Sequence, residues 1–137
     1  MSTQTSLVTG VDFVALPVTD YDAAAEFYGT VLGLPFVKRW GKMPAGEFQA
    51  GNLTVAVIQP DAFGQEFRSS NSWIALQVDD VAAARADLES QGIEFHGDTL
   101  DSGVCHQAFF SDPDGNPLIL HHRYAPKGEA PPERVEG

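Results

Sequence analysis

The chain is poor in several things at once, and each shortage removes a class of function. It has one cysteine, Cys105, in 137 residues. That excludes an intramolecular disulfide and any CxxC metal or redox site, and suits a reducing compartment. No run approaches the ~20 apolar residues of a membrane span. The first residues, Met1 to Thr9, are polar and carry no basic region followed by an apolar stretch, so no secretory signal is expected and the cytoplasm is the expected location. Basic residues are scarce: 8 against 19 acidic ones, a formal charge of -11. Such a balance argues against a nucleic-acid backbone or an anionic membrane as partner. It would favour cationic ligands, and it keeps the chain soluble. A chain of this length buries roughly two-thirds of its extended surface without a covalent framework.

What is present repeats. Gly51-Asn52-Leu53-Thr54-Val55-Ala56-Val57 is echoed 64 positions later (115 against 51) by Gly115-Asn116-Pro117-Leu118-Ile119-Leu120-His121. Phe13-Val14-Ala15-Leu16-Pro17-Val18-Thr19-Asp20 is echoed 60 positions later (73 against 13) by Trp73-Ile74-Ala75-Leu76-Gln77-Val78-Asp79-Asp80. An alanine-rich segment follows each of the latter. The chain reads as two copies of one unit.

Alternation predicts a first strand over Val11–Val18, with Pro17 marking an edge or a strand end. Asp20 is placed to cap a helix from Tyr21 to Leu32, whose Ala24, Phe27, Tyr28, Val31 and Leu32 form an apolar stripe and which Gly33 stops. Strands are expected over Phe36–Trp40, Glu47–Ala50 and Leu53–Ile58. The second copy repeats the plan: strand Trp73–Val78, cap Asp80, helix Val81–Ser90 ended by Gly92, then strands at Ile93–His96, Cys105–Phe110 and Pro117–Arg123. The segment 111–116 (Ser-Asp-Pro-Asp-Gly-Asn) is the sharp turn before the last strand. The organisation is a flexible arm (1–9), a first βαβββ module (10–59), a linker (60–71), a second βαβββ module (72–124) and a disordered proline-rich tail (125–137). One short helix cannot cover a sheet alone, so the two modules are expected to form an α+β fold, a curved mixed sheet around a cleft.

These pieces resemble the vicinal oxygen chelate superfamily, the group of glyoxalases, bleomycin-resistance proteins and extradiol dioxygenases. The resemblance rests on Val18-Thr19-Asp20 before a helix with Phe27-Tyr28 and Leu32-Gly33-Leu34. Val78-Asp79-Asp80 and Asp112-Pro113-Asp114-Gly115-Asn116-Pro117 complete it, so that it covers about residues 10–124. It implies paired βαβββ modules, a homodimer, and in many members a divalent metal held from the first and last strands. Carried onto this chain, the first-strand positions, often histidine in the family, fall on Phe13 and Trp73. The last-strand positions, often glutamate, fall near Val55 and on Ile119. None of the four side chains can coordinate a metal, so no cofactor is expected. They instead line an apolar, partly aromatic pocket suited to a flat or hydrophobic molecule.

The expected ligand-binding set is Phe13, Val55, Val57, Trp73, Ile119 and His121, with Glu47 and Arg39 as polar anchors at the mouth. His121, by strand parity beside Ile119, is a candidate hydrogen-bond acceptor or general base near neutral pH. His122 points the other way, and the face of His106 is open. Three readings follow. The first is a metal-independent protein that binds or sequesters a hydrophobic or aromatic small molecule, between modules or across a dimer interface. The second is a lyase, isomerase or dioxygenase using His121 or His106, or a displaced metal site built from those histidines and Glu47. The third is a non-catalytic interaction protein with a filled cleft.

Overall fold

In the computed structural model residues 7–126 are described; most of the expected arm and tail therefore lies outside the described residues. The chain divides into two compact units. One comprises residues up to Ser72 together with Ser111–Asn116; the other comprises Trp73–Phe110 and the chain from Pro117 onward.

In the first unit β1 (Val14–Pro17) leads to α1 (Tyr21–Glu26), and β2 (Phe36–Arg39), β3 (Ala45–Ala50) and β4 (Leu53–Ile58) follow. The sheet order is β1-β4-β3-β2, with β1 parallel to β4 and the other pairs antiparallel. Pro17 thus sits on an edge strand, where its missing N–H costs no ladder bond. The Asp20 side chain caps α1 by accepting from the Ala23 N–H at 3.2 Å. The helical run reaches the expected length, but its second half, Phe27–Val31, is π-helical, and the Leu32 N–H reaches back to the Phe27 carbonyl at 2.9 Å. Tyr21, Ala24, Phe27 and Tyr28 are buried on the helix; Leu16, Val18, Phe48, Val55 and Val57 are buried on or beside the sheet. This is the first core.

The second unit repeats the order. It holds β5 (Ile74–Gln77), α2 (Val81–Ser90), β6 (Leu100–Asp101), β7 (Cys105–Ser111) and β8 (Pro117–Arg123), arranged β5-β8-β7-β6. Asp80 caps α2 by accepting from the Ala83 N–H at 3.0 Å. Leu118 and Leu120 of β8 are buried, as are Val81 and Leu88 of α2, the helix that lies against β8. The strand expected at Ile93–His96 does not form. That segment keeps one backbone bond to β7, His96 N–H to the Phe109 carbonyl at 2.8 Å, while Phe95 packs on Phe110 at 4.9 Å between ring centres. Gly97, with φ 79°, then turns the chain, and the pairing with β7 is made further on, by Leu100–Asp101.

The turn Ser111–Asn116 joins β7 to β8 yet belongs to the first unit. Asp112 is 4% exposed and Asn116 is fully buried. The Asp112 carboxylate accepts from the Tyr28 hydroxyl (2.6 Å), the Asp114 and Asn116 N–H groups (2.9 Å each) and the Asn116 amide (2.8 Å). The Asn116 side chain also donates to the Pro17 carbonyl and accepts from the Ser70 N–H, at 2.8 and 2.7 Å. Every polar atom of this buried cluster has a partner, which is the condition for burying it.

Candidate functional site

Each sheet has one face toward its helix and one away from it. Parallel pairing decides which residues share the second face. In the first unit Val14 pairs with Val55, Ala15 with Ala56 and Leu16 with Val57; in the second, Ala75 pairs with Ile119 and Gln77 with His121. Since Ala15 and Ala75 are the repeated positions, the equivalent of Ile119 is Ala56, not Val55, and the equivalent of His121 is Ile58, not Val57. Val55 and Val57 are 1% and 0% exposed and share the helix-side face with Leu16. They belong to the core, which corrects their expected place in the pocket. The Gly-Asn echo sits at an offset of 64, whereas the paired strands are related by 63 (119 against 56), so matching the glycines misplaces the strand by one position. β3 and β4 are joined by Gly51-Asn52, whereas β7 and β8 are joined by the longer Asp112–Asn116 turn. A slip of one residue moves every side chain to the opposite face.

On the far face of the first sheet stand Ala15, Ala56 and Glu47, the last two directly paired. Phe13 and Trp40 flank opposite edges of this sheet, about 14 Å apart at ordinary strand spacing. Their rings nevertheless meet edge to face at 5.8 Å. The two long side chains reach toward each other over the face of Ala15 and Ala56. Trp40 Nε1 donates to Glu47 Oε2 at 2.7 Å, so the carboxylate is tied to an aromatic wall. The position of Trp40 at the end of a strand carries no local sign that it reaches across to Phe13. Arg39 is on the helix side, with its guanidinium 4.6 Å over the Tyr21 ring and its Nε bonded to the Met43 carbonyl at 2.8 Å. Its expected role beside Glu47 is therefore corrected: neighbouring residues on a strand face opposite ways.

On the second sheet Trp73 meets Phe109 edge to face at 5.6 Å. Ala75, Ile119, Gln77 and His121 continue that face along β5 and β8. At its end lies an open cavity of about 630 Å³, lined by Gln77, Cys105, His121, His122, Arg123 and Tyr124, with Ala125 and Pro126. His122 Nδ1 is 3.1 Å from the Val78 carbonyl, which places a proton on that nitrogen. His106 has the strand parity of Ala108 and Phe110, opposite to Phe109. Its Nε2 is 3.4 Å from Asp101, and its ring is 4.8 Å from that of Tyr124. The Tyr124 hydroxyl donates to Asp101 at 2.7 Å. That bond first, and the Gly103 N–H and His106 after it, hold the Asp101 carboxyl below the usual carboxylate range, and the same bond raises the Tyr124 hydroxyl.

A metal in the manner of the resemblance does not fit these side chains. The four positions hold Phe13, Trp73, Ala56 and Ile119, which offer no donor atom. Among the described residues no three or more His, Cys, Asp or Glu side chains come together to hold an ion. Of the displaced set, His106 turns to Asp101 and Glu47 to Trp40.

Among solved structures, a glyoxalase family protein from Bacillus anthracis is 21% identical with a TM-score of 0.73, over 88% of this chain and 99% of that one. A superfamily member from Sphaerobacter thermophilus is 23% identical with a TM-score of 0.73, over 86% and 100%. TnmS3, an antibiotic binding protein from Streptomyces sp., is 23% identical with a TM-score of 0.71, over 87% and 99%. Comparison with curated proteins gave no match. The family model for the glyoxalase, bleomycin resistance protein and dioxygenase superfamily matches residues 10–120, and with the βαβββ order of both units it shows that the chain belongs to that superfamily.

Proposed function

We propose that the protein binds a hydrophobic or aromatic small molecule, needs no metal to do so, and works as a homodimer in the cytoplasm. The observation that carries this reading is the pair of half-exposed aromatic side chains, Phe13 (42%) and Trp73 (52%), at positions that the family often gives to metal-binding histidine. Each has an edge-to-face partner, Trp40 or Phe109, that holds its ring in place. Held rings lose little freedom on binding, so their contact area with a flat ligand converts efficiently into affinity. An antibiotic binding protein of the same fold supports a binding role in kind, though not in ligand.

Native mass spectrometry of freshly purified protein tests the reading. The expected result is a dimer that takes up an added aromatic compound after metal has been stripped with chelator. Near-stoichiometric zinc, iron or manganese that resists stripping, or ligand uptake that depends on metal, would overturn it.

The Asp101–His106–Tyr124 network, with Tyr124 also lining the cavity beside His121, favours an acid–base enzyme as the second reading. Replacing His121 with glutamine separates the two. A binder keeps most of its affinity and returns its ligand unchanged, whereas an enzyme of this kind loses turnover while still holding substrate.

A further inference from the structure

The far face of the second sheet is polarised along its length. At one end are Trp73 and Phe109, followed by Ala75 paired with Ile119. At the other end are Gln77 and His121, about 13 Å along the strand from Trp73, and Arg123 about 7 Å further on, all three in the wall of the 630 Å³ cavity. In a chain with 19 acidic residues and 8 basic ones, this cavity has an arginine and two histidines in its lining and no carboxylate.

Arg123 is underused. Its Nη2 reaches the Pro126 carbonyl at 3.3 Å, and its Nε is buried with no hydrogen-bond partner among the described residues. A guanidinium offers five N–H donors in a fork matched to a carboxylate. Burying a guanidinium with one donor unmade is costly, and an anion held by its outer N–H groups at the cavity wall would offset that cost. The geometry points to an aromatic or hydrophobic carboxylate as the ligand class, its acid group on Arg123 with Gln77 and His121 beside it and its apolar body toward Ala75 and Ile119 on the same face. This deepens the proposed binding function and rests on it. The overall negative charge does not veto an anion here. Exposed charges more than ~8–10 Å away are largely screened at physiological salt, whereas the Arg123 contact is direct.

The test uses two probes of one shape, 2-naphthoate and its neutral amide, titrated by calorimetry into the full-length protein. Wild type is expected to bind the acid about tenfold to a hundredfold more tightly than the amide, as a charge-assisted pair replaces a neutral one. Arg123→Gln, checked by its melting temperature, is expected to lose that preference while still binding the amide; Arg123→Lys is expected to keep part of it. Equal affinity for acid and amide in wild type would overturn the carboxylate assignment and leave the aromatic reading standing. So would a preference that survives Arg123→Gln. No binding of either probe would bring down both.

Discussion

Asp112 shows how much a single residue is asked to do when it is buried. Its two carboxylate oxygens take four hydrogen bonds, one of them from Tyr28, which lies 84 positions earlier in the chain and is 1% exposed. Tyr28→Phe removes that donor without changing shape, and is expected to cost about 1–3 kcal/mol in urea unfolding. The pH dependence follows from the same contact. Burial first, then the Asp112 charge and hydrogen bond, raise the Tyr28 hydroxyl well above its ordinary value of 10.0. A group raised on folding stabilises the native state below its unfolded pKa, and that stabilisation is lost as the pH rises beyond it. Above about pH 10 wild type is therefore expected to lose stability more steeply with pH than Tyr28→Phe does. At Asp101 the sign is the reverse. Its carboxyl is lowered chiefly by the Tyr124 hydroxyl, so its contribution is present above the ordinary value of 3.8 and is lost as the pH falls through the folded value. In Tyr124→Phe the Asp101 titration, followed by carbon NMR of the carboxyl, is expected to move up toward that ordinary value.

At the scale of the element, the helices were the most legible part. Asp20 and Asp80 stand directly before apolar periodic runs, the place of a cap, and both side chains accept from the backbone three residues on. Asp80→Ala is expected to cost about 1 kcal/mol, measured by chemical unfolding. The π-helical close of the first helical run has no mark in the local pattern, and it places Gly29 against Phe48. A Cβ on Gly29 would lie 3.1 Å from Phe48 Cε2, so the backbone and that ring meet where no side chain intervenes. Gly46 is the tighter case. A Cβ there would collide with the Tyr21 hydroxyl and come within 3.2 Å of the Lys38 carbonyl oxygen, which belongs to the backbone and cannot swing away. Gly46→Ala is expected to destabilise by about 1–3 kcal/mol through overpacking, seen as a lower urea midpoint with an unchanged slope.

For the whole molecule, the Ser111–Asn116 turn matters most, since it belongs to the first unit while joining two strands of the second. Asn116 bonds to Pro17, Ser70 and Asp112 at once. Asn116→Ala is expected to lower the melting temperature of the entire chain in one calorimetric transition. Two separated transitions would show instead that the units unfold independently.

The sequence by itself determined the duplicated βαβββ plan, both helix starts, the bounds of Leu53–Ile58 and Pro117–Arg123, and the want of metal donors at Phe13, Trp73 and Ile119. Those features are local: periodicity, caps and side-chain chemistry follow from neighbours along the chain. Tertiary structure alone decided that Ala56 rather than Val55 shares the face of Glu47, that Arg39 turns away, that Trp40 reaches Phe13, and that Arg123 borders a cavity with His121. Register is set where strands pair, and the Gly-Asn echo, at an offset of 64, is one position out of step with the pairing at 63. One position of slip separates a core valine from a side chain on the opposite face of the sheet.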